Sequence, residues 1–130
     1  MRWEIDWSAQ DGVAVLAVGG RLSGQGIRDM RAEFAADPRA AGVTGFIVDI
    51  STTDVRDVSA ADIQGLAATS RSVLGPLQRA PRAYVVGEGL MYGLASLYLG
   101  RLSGAEAPST ELFLTRSEAE SWVRTQLPQA

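Results

Sequence analysis

Bulky apolar residues alternate with charged residues at the start of the chain. Trp3, Ile5 and Trp7 are spaced two residues apart, and a charged residue precedes each of them. This period of two predicts a half-buried β-strand. The pair Asp11-Gly12, which favours hairpin turns, and the apolar, β-branched run Val13–Val18 follow. We therefore expect the chain to open with an antiparallel hairpin.

Helical and strand-like patterns alternate in the rest of the chain. Ile27, Met30, Arg31 and Phe34 recur at helical spacing before Asp37-Pro38. The other predicted strands are Phe46–Ile50, Ala83–Val86 and Glu111–Leu114, and the other predicted helices are Ala60–Leu77, Leu90–Leu102 and Ser117–Gln126. The order β-β-α-β-α-β-α-β-α predicts a single α/β domain over residues 1–130, with a mixed, mostly parallel sheet and helices packed on it.

The composition removes most side chains that carry out catalysis. The 130 residues include no Cys and no His, and all 12 basic residues are Arg. A thiol nucleophile, the usual neutral-pH general base and a Schiff-base lysine are therefore excluded. A net charge of −3 gives no basic patch for nucleic acid. We expect a protein that is not an enzyme and has no metal, no cofactor and no nucleic-acid partner.

Targeting and membrane segments are not indicated by the hydropathy pattern. The amino-terminal residues alternate between charged and apolar types and do not form the apolar centre of a signal peptide. The longest uncharged apolar segment, Gly89–Gly100, is well short of the roughly 20 residues that a membrane-spanning helix needs. We therefore expect a cytoplasmic protein without a membrane span.

The junction between strand Phe46–Ile50 and the next helix concentrates acidic and small polar residues. Asp49, Asp54, Asp57 and Asp62 lie near the carboxyl end of a predicted parallel strand, where α/β sheets bind ligands. A Mg²⁺ or phosphotransfer cluster is one interpretation. Aspartate is also common in turns and caps, and no lysine accompanies this group. We favour a contact surface over a catalytic centre.

The junction contains Asp49-Ile50-Ser51, then five further residues, then Asp57-Val58-Ser59. This spacing resembles the pattern Asp-x-Ser-x5-Asp-x-Ser of STAS domains in anti-sigma factor antagonists. Gly20-Arg21-Leu22-Ser23 is similar to that family's turn into its first helix. Glu111–Trp122 is similar to its closing strand and helix, and the tail is most similar to the SpoIIAA-like branch.

The resemblance implies a non-enzymatic regulatory domain that binds a protein partner. In the antagonists that partner is a kinase that is also the anti-sigma factor, and the serine that it phosphorylates corresponds to Ser59. Val58 and Ala60 stand where the antagonists have Ser and Gly. The predicted partner-contact residues are Asp49, Ser51, Asp57, Ser59 and Asp62.

Ser59 also has a purely structural interpretation. Ser59-Ala60-Ala61-Asp62 has the spacing of a capping box, in which a serine at the helix N-cap and an acid three residues later bind each other's backbone N–H groups. Thr115 and Glu118 have the same spacing before the last helix. The sequence leaves both roles of Ser59 open, a helix cap and a phosphate acceptor.

The predicted helix Leu90–Leu102 has almost no polar face. A surface helix in a small domain is normally amphipathic, so a second covered face is expected here. The residues that we expect on this second covered face are Met91, Tyr92, Tyr98 and Leu99. A homodimer partner or an apolar small molecule would cover them, and a fold-level similarity of SpoIIAA-like proteins to CRAL-TRIO lipid carriers makes a lipid-like ligand the alternative function.

Overall fold

Five strands pair side by side in the order in which they occur along the chain. They are β1 (Arg2–Gln10), β2 (Val13–Gly19), β3 (Gly45–Asp49), β4 (Arg82–Val85) and β5 (Thr110–Phe113). β1 is antiparallel to β2, and every later pair is parallel. The computed structural model describes residues 1–10, 12–75, 77, 80–101 and 110–127, without the side chains of residues 8–10 and 70–74.

In the described part of the chain, three α-helices and a short 3₁₀ helix lie between the strands, and a fourth α-helix follows β5. The α-helices are α1 (Gly24–Ala36), α2 (Ala60–Leu74), α3 (Leu90–Arg101) and α4 (Arg116–Gln126), and the 3₁₀ helix is Pro38–Gly42. Ser23 caps α1 by accepting the Gly26 N–H, and Thr115 caps α4 by accepting the Glu118 N–H. None of the helices in the described ranges is both long and apolar enough to cross a bilayer.

The predicted fold class and element order are confirmed, and the differences lie at the ends of elements. The helix predicted as Ala60–Leu77 ends at Leu74, because Gly75 adopts φ +54, which an α-helix cannot continue through. α3 ends at Arg101, and the predicted last residue of that helix, Leu102, lies outside the described residues. Gly12 has the positive φ (+75) of a turn glycine, whereas Asp11 lies outside the described part of the chain.

The sheet separates two apolar cores, because successive side chains of a strand point to opposite faces. On the larger side, alternate residues of β2 and β3 such as Leu16 and Phe46 pack with α1, α2 and α3. On the smaller side, Val15 and Ile47 pack against Ala119 and Val123 of α4. Coverage of both faces explains why β2 and β3 are continuous apolar runs and do not alternate.

Phe34 of α1 is central to the larger core. Only 1% of it is exposed, and its ring centroid lies 5.2 Å from those of both Trp7 and Phe46. It therefore joins the edge strand β1 to the centre of the sheet.

We predict that Phe34→Ala lowers the free energy of unfolding by about 3–5 kcal/mol, because the substitution leaves a cavity that the sheet and α1 cannot close. Leu114→Ala is the matched control: Leu114 is 48% exposed, and its truncation should cost less than about 1 kcal/mol. Urea denaturation of both variants measures the difference. Equal losses would contradict the central role of Phe34.

Candidate functional site

The polar junction crosses the carboxyl end of β3 and reaches α2 through a series of tight turns. Thr53 donates its backbone N–H to the Ile50 carbonyl at 3.0 Å, and its hydroxyl donates to the same oxygen at 2.7 Å. Val58 donates its backbone N–H to the Val55 carbonyl at 3.0 Å. These bonds satisfy the backbone without extending either element, so the segment forms a fixed surface between β3 and α2.

Asp49 and Ser51 form the first polar group of the junction. Asp49 Oδ1 accepts the Ser51 backbone N–H at 3.0 Å and the Ser51 hydroxyl at 2.6 Å. Asp49 Oδ2 accepts Nε and Nη2 of Arg116 at 3.0 and 2.9 Å. Burial raises the pKa of Asp49, but the hydrogen bonds from Ser51 and Arg116 outweigh burial and hold that pKa below its ordinary value. Asp49 therefore links the end of β3 to the start of α4.

The loop after β2 pairs with the centre of the junction. Asp54 donates its N–H to the Gly20 carbonyl at 2.9 Å, and Leu22 donates its N–H to the Asp54 carbonyl at 2.8 Å. Gly20 has φ +83, a conformation that favours glycine at this turn. The pairing brings Arg21 Nε within 2.6 Å of Asp57 Oδ2, in a half-exposed ion pair. The segment Gly20–Ser23 and the segment Asp57–Ser59, which are separate in sequence, thus form one surface.

Ser59 and Asp62 form the capping box that the sequence predicts. Ser59 donates its N–H to Asp62 Oδ2 at 3.0 Å, and Asp62 donates its N–H to Ser59 Oγ at 3.1 Å. The hydrogen bond from the Ser59 N–H is the main cause of a lowered pKa at Asp62. Ser59 itself is exposed, and its hydroxyl proton is not used by the Asp62 bond. The cap and an accessible hydroxyl therefore exist together.

The buried side chain of Val58 anchors the junction to the larger core. It packs there although both neighbours of Val58, Asp57 and Ser59, are exposed. Val58, one of the positions that differ from the antagonist pattern, thus acts as an apolar anchor between two surface residues. α1 also lies close, since a Cβ on Gly24 would come within 2.7 Å of Asp62 Oδ1.

Arginines balance the aspartates of the junction, one from within it and three from other segments. The pairs are Asp49 with Arg116 at 2.9 Å, Asp54 with Arg56 at 2.6 Å and Asp57 with Arg21 at 2.6 Å, while the charge of Arg28 lowers the pKa of Asp62. Across the described residues, no group of three acidic side chains is placed to hold a metal ion. The junction is therefore a neutral, ion-paired surface.

The predicted partner-contact residues fall into two groups. Asp57, Ser59 and Asp62 share the surface at the start of α2, whereas Asp49 and Ser51 lie at the end of β3 beside α4. The sequence did not identify Arg21 or Arg116 as members of the site. Arg21 was detectable within the Gly20–Ser23 motif, but nothing in the local sequence marks Arg116.

The four residues singled out on α3 do not lie on one face. Met91 and Tyr98, seven residues apart, are both buried: Tyr98 packs in the larger core, and the Met91 sulfur accepts the Gly87 N–H at 2.9 Å. Tyr92 is 45% exposed and Leu99 is half-buried. Burial within this chain therefore explains two of the four, and contact of Tyr92 and Leu99 with a second subunit or an apolar ligand stays a prediction.

We predict that Ser59→Ala lowers the free energy of unfolding by about 1 kcal/mol, because the N–H groups at the start of α2 lose a cap. Ser121→Ala, at an exposed position within α4, should change stability by less than about 0.5 kcal/mol. Thermal or urea unfolding measures both. A Ser59→Ala protein as stable as the wild type would show that the capping bond contributes nothing.

We predict that the pKa of Asp49 lies below 3.8 and rises in Arg116→Gln, because two charge-assisted hydrogen bonds disappear. Since the folded-state pKa is depressed, the stability that Asp49 contributes is complete above the unfolded value and is lost as the pH falls through the folded value. NMR titration of the Asp49 carboxyl carbon tests the shift. Arg39→Gln, which removes a distant arginine, should leave the pKa of Asp49 unchanged.

Comparison with known proteins identifies the architecture. No protein-family profile and no curated protein matches the sequence. The solved structure of the anti-sigma factor antagonist SpoIIAA in its unphosphorylated form is similar, with a TM-score of 0.62 and 15% sequence identity over 95% of this chain and 97% of that chain. At this identity the likeness concerns the fold. The SpoIIAA-like fold that the sequence motifs predict is thereby confirmed.

Proposed function

We propose that this chain is a non-enzymatic regulatory domain that binds a protein partner through the junction surface and is switched by phosphorylation of Ser59. The partner class is an anti-sigma factor with kinase activity. The observation that carries the proposal is the exposed hydroxyl of Ser59, held at the first turn of α2 in a domain with the SpoIIAA-like fold.

The surroundings of Ser59 favour a change of surface charge over a change of fold. A phosphate adds about 1.5 to 2 negative charges at neutral pH. The start of a helix tolerates negative charge because its free N–H groups and its dipole are positive there. We therefore expect phosphorylated α2 to remain helical.

The same surroundings explain why a partner would detect the phosphate. Asp57 is already paired with Arg21, and Asp62 already accepts the Ser59 N–H. The unmodified surface is close to electrically neutral, because Arg21 offsets Asp57 and Arg28 offsets Asp62, so an added phosphate makes it net negative. A partner that is complementary to the neutral surface would be repelled, since unmatched charge at an interface is costly.

We predict that Ser59→Asp weakens partner binding by about tenfold or more and keeps the protein folded. The partner to test is any kinase-like anti-sigma factor that a gene next to that of this chain encodes. Isothermal titration calorimetry compares wild type with Ser59→Asp, and Ser121→Asp, at an exposed serine in the middle of α4, adds the same charge outside the predicted contact residues. Circular dichroism confirms folding.

The modification itself is tested by intact-protein and peptide mass spectrometry after incubation with that partner and Mg-ATP. Phosphate on Ser59, absent from Ser59→Ala, supports the switch. Phosphate at another residue, unchanged binding of Ser59→Asp, or equal loss in Ser121→Asp would contradict the switch. A genome without a kinase-like partner would remove the proposed partner class.

A further inference from the structure

Two small cavities lie in the larger core directly beneath the junction. The first has a volume of about 80 Å³, and its wall includes Val58, Ile63 and Met91. The second has a volume of about 70 Å³ and reaches towards β2 and β3. Both are lined largely by hydrocarbon, and Arg31 lines both of them. Arg31 and Tyr84 are therefore the residues with polar groups that line both cavities, and Arg31 is the charged one.

The guanidinium of Arg31 is buried, and no carboxylate among the described residues pairs with it. Arg31 is only 8% exposed, its Nη1 donates to the Leu66 carbonyl at 2.7 Å, and its Nη2 donates to the Tyr98 hydroxyl at 2.5 Å. Within the described part of the chain, no acidic side chain forms an ion pair with it. Buried charges are normally paired, and a guanidinium has five N–H donors. Donor capacity and positive charge thus remain at the cavities.

The neighbouring tyrosines determine whether this charge is neutralised. Burial raises the pKa of Tyr98 to about 12, so its hydroxyl is neutral at neutral pH. Burial also raises the pKa of Tyr84, but the charges of Arg82 and Arg31, together with side-chain hydrogen bonds to Tyr98 and Arg31, outweigh burial and lower it. Tyr84 lies against Tyr98 with ring centroids 5.8 Å apart. A phenolate on Tyr84 is the internal alternative to an external anion.

We propose that these cavities bind a small apolar monocarboxylate, with its carboxylate on Arg31 and its hydrocarbon body between α1, α2, α3 and the sheet. A single guanidinium matches a singly charged carboxylate, which it can bind through two parallel hydrogen bonds. The apolar walls offer little to the additional charge of a phosphate ester. This site is separate from the surface of Ser59 but shares Val58 with it.

The volumes set the size of the ligand. An engineered apolar cavity of about 150 Å³ holds benzene. The two cavities, of about 80 and 70 Å³, have Leu22, Ile27 and Ile50 in common in their walls as well as Arg31, and a ligand that spans both would have a similar volume available. We therefore expect a body of about six carbon atoms, as in benzoate or hexanoate. Long-chain fatty acids exceed this space.

The test compares benzoate and hexanoate with the uncharged benzyl alcohol and hexanol, by calorimetry and by thermal shift at constant ionic strength. The carboxylates should bind about tenfold more tightly than the alcohols and raise the melting temperature. Arg31→Met should abolish this preference. Absence of carboxylate binding to the folded wild type, or equal binding of alcohols, would overturn the proposal.

Two further measurements apply if Arg31→Met does not fold. Ala95→Leu narrows the first cavity without changing charge and should weaken binding of hexanoate, whereas Ala68→Leu, on the exposed side of α2, should not. Equal binding by the two variants would place the ligand elsewhere. Ultraviolet titration detects phenolate: a Tyr84 phenolate at neutral pH, lost in Tyr84→Phe, would also refute an external anion.

Discussion

The arrangement of the junction depends on two backbone hydrogen bonds between the loop after β2 and the loop after β3. They join Gly20 and Leu22 to Asp54. Because this pairing fixes the path of the second loop, Asp57 meets Arg21, Val58 enters the core and Ser59 faces outward. The side-chain contacts of the site follow from the position of the backbone, and the half-exposed ion pairs orient this surface more than they stabilise it.

The fold was largely predictable because its strands have strong patterns. β2 and β3 are buried on both faces and β1 on one, so continuous and alternating hydrophobicity identified them correctly. The end of α2 was not predictable from periodicity. Leu77 is buried at helical spacing, but it lies beyond the positive-φ Gly75 and reaches the core from outside the helix. Tertiary packing produced an apparent continuation of the helical pattern.

Within the site, local contacts were predictable and distant ones were not. The Ser59–Asp62 box spans one helical turn, so its spacing is visible in the sequence. The contact between Asp49 and Arg116 spans 67 residues and requires the strand order to be known. Arg31 fitted the apolar spacing of α1, but the sequence gives no sign that a buried guanidinium stands beside empty space.

The burial of Val58 limits how the partner that we propose could recognise Ser59. Many modifying enzymes bind their target as an extended segment, but extension here would pull Val58 out of the core and break the capping box beside it. Such a partner would therefore bind a preformed three-dimensional surface that is assembled from two loops and a helix end. A short peptide with the sequence of residues 54–64 would lack the loop that carries Arg21, and so could not substitute for the folded domain.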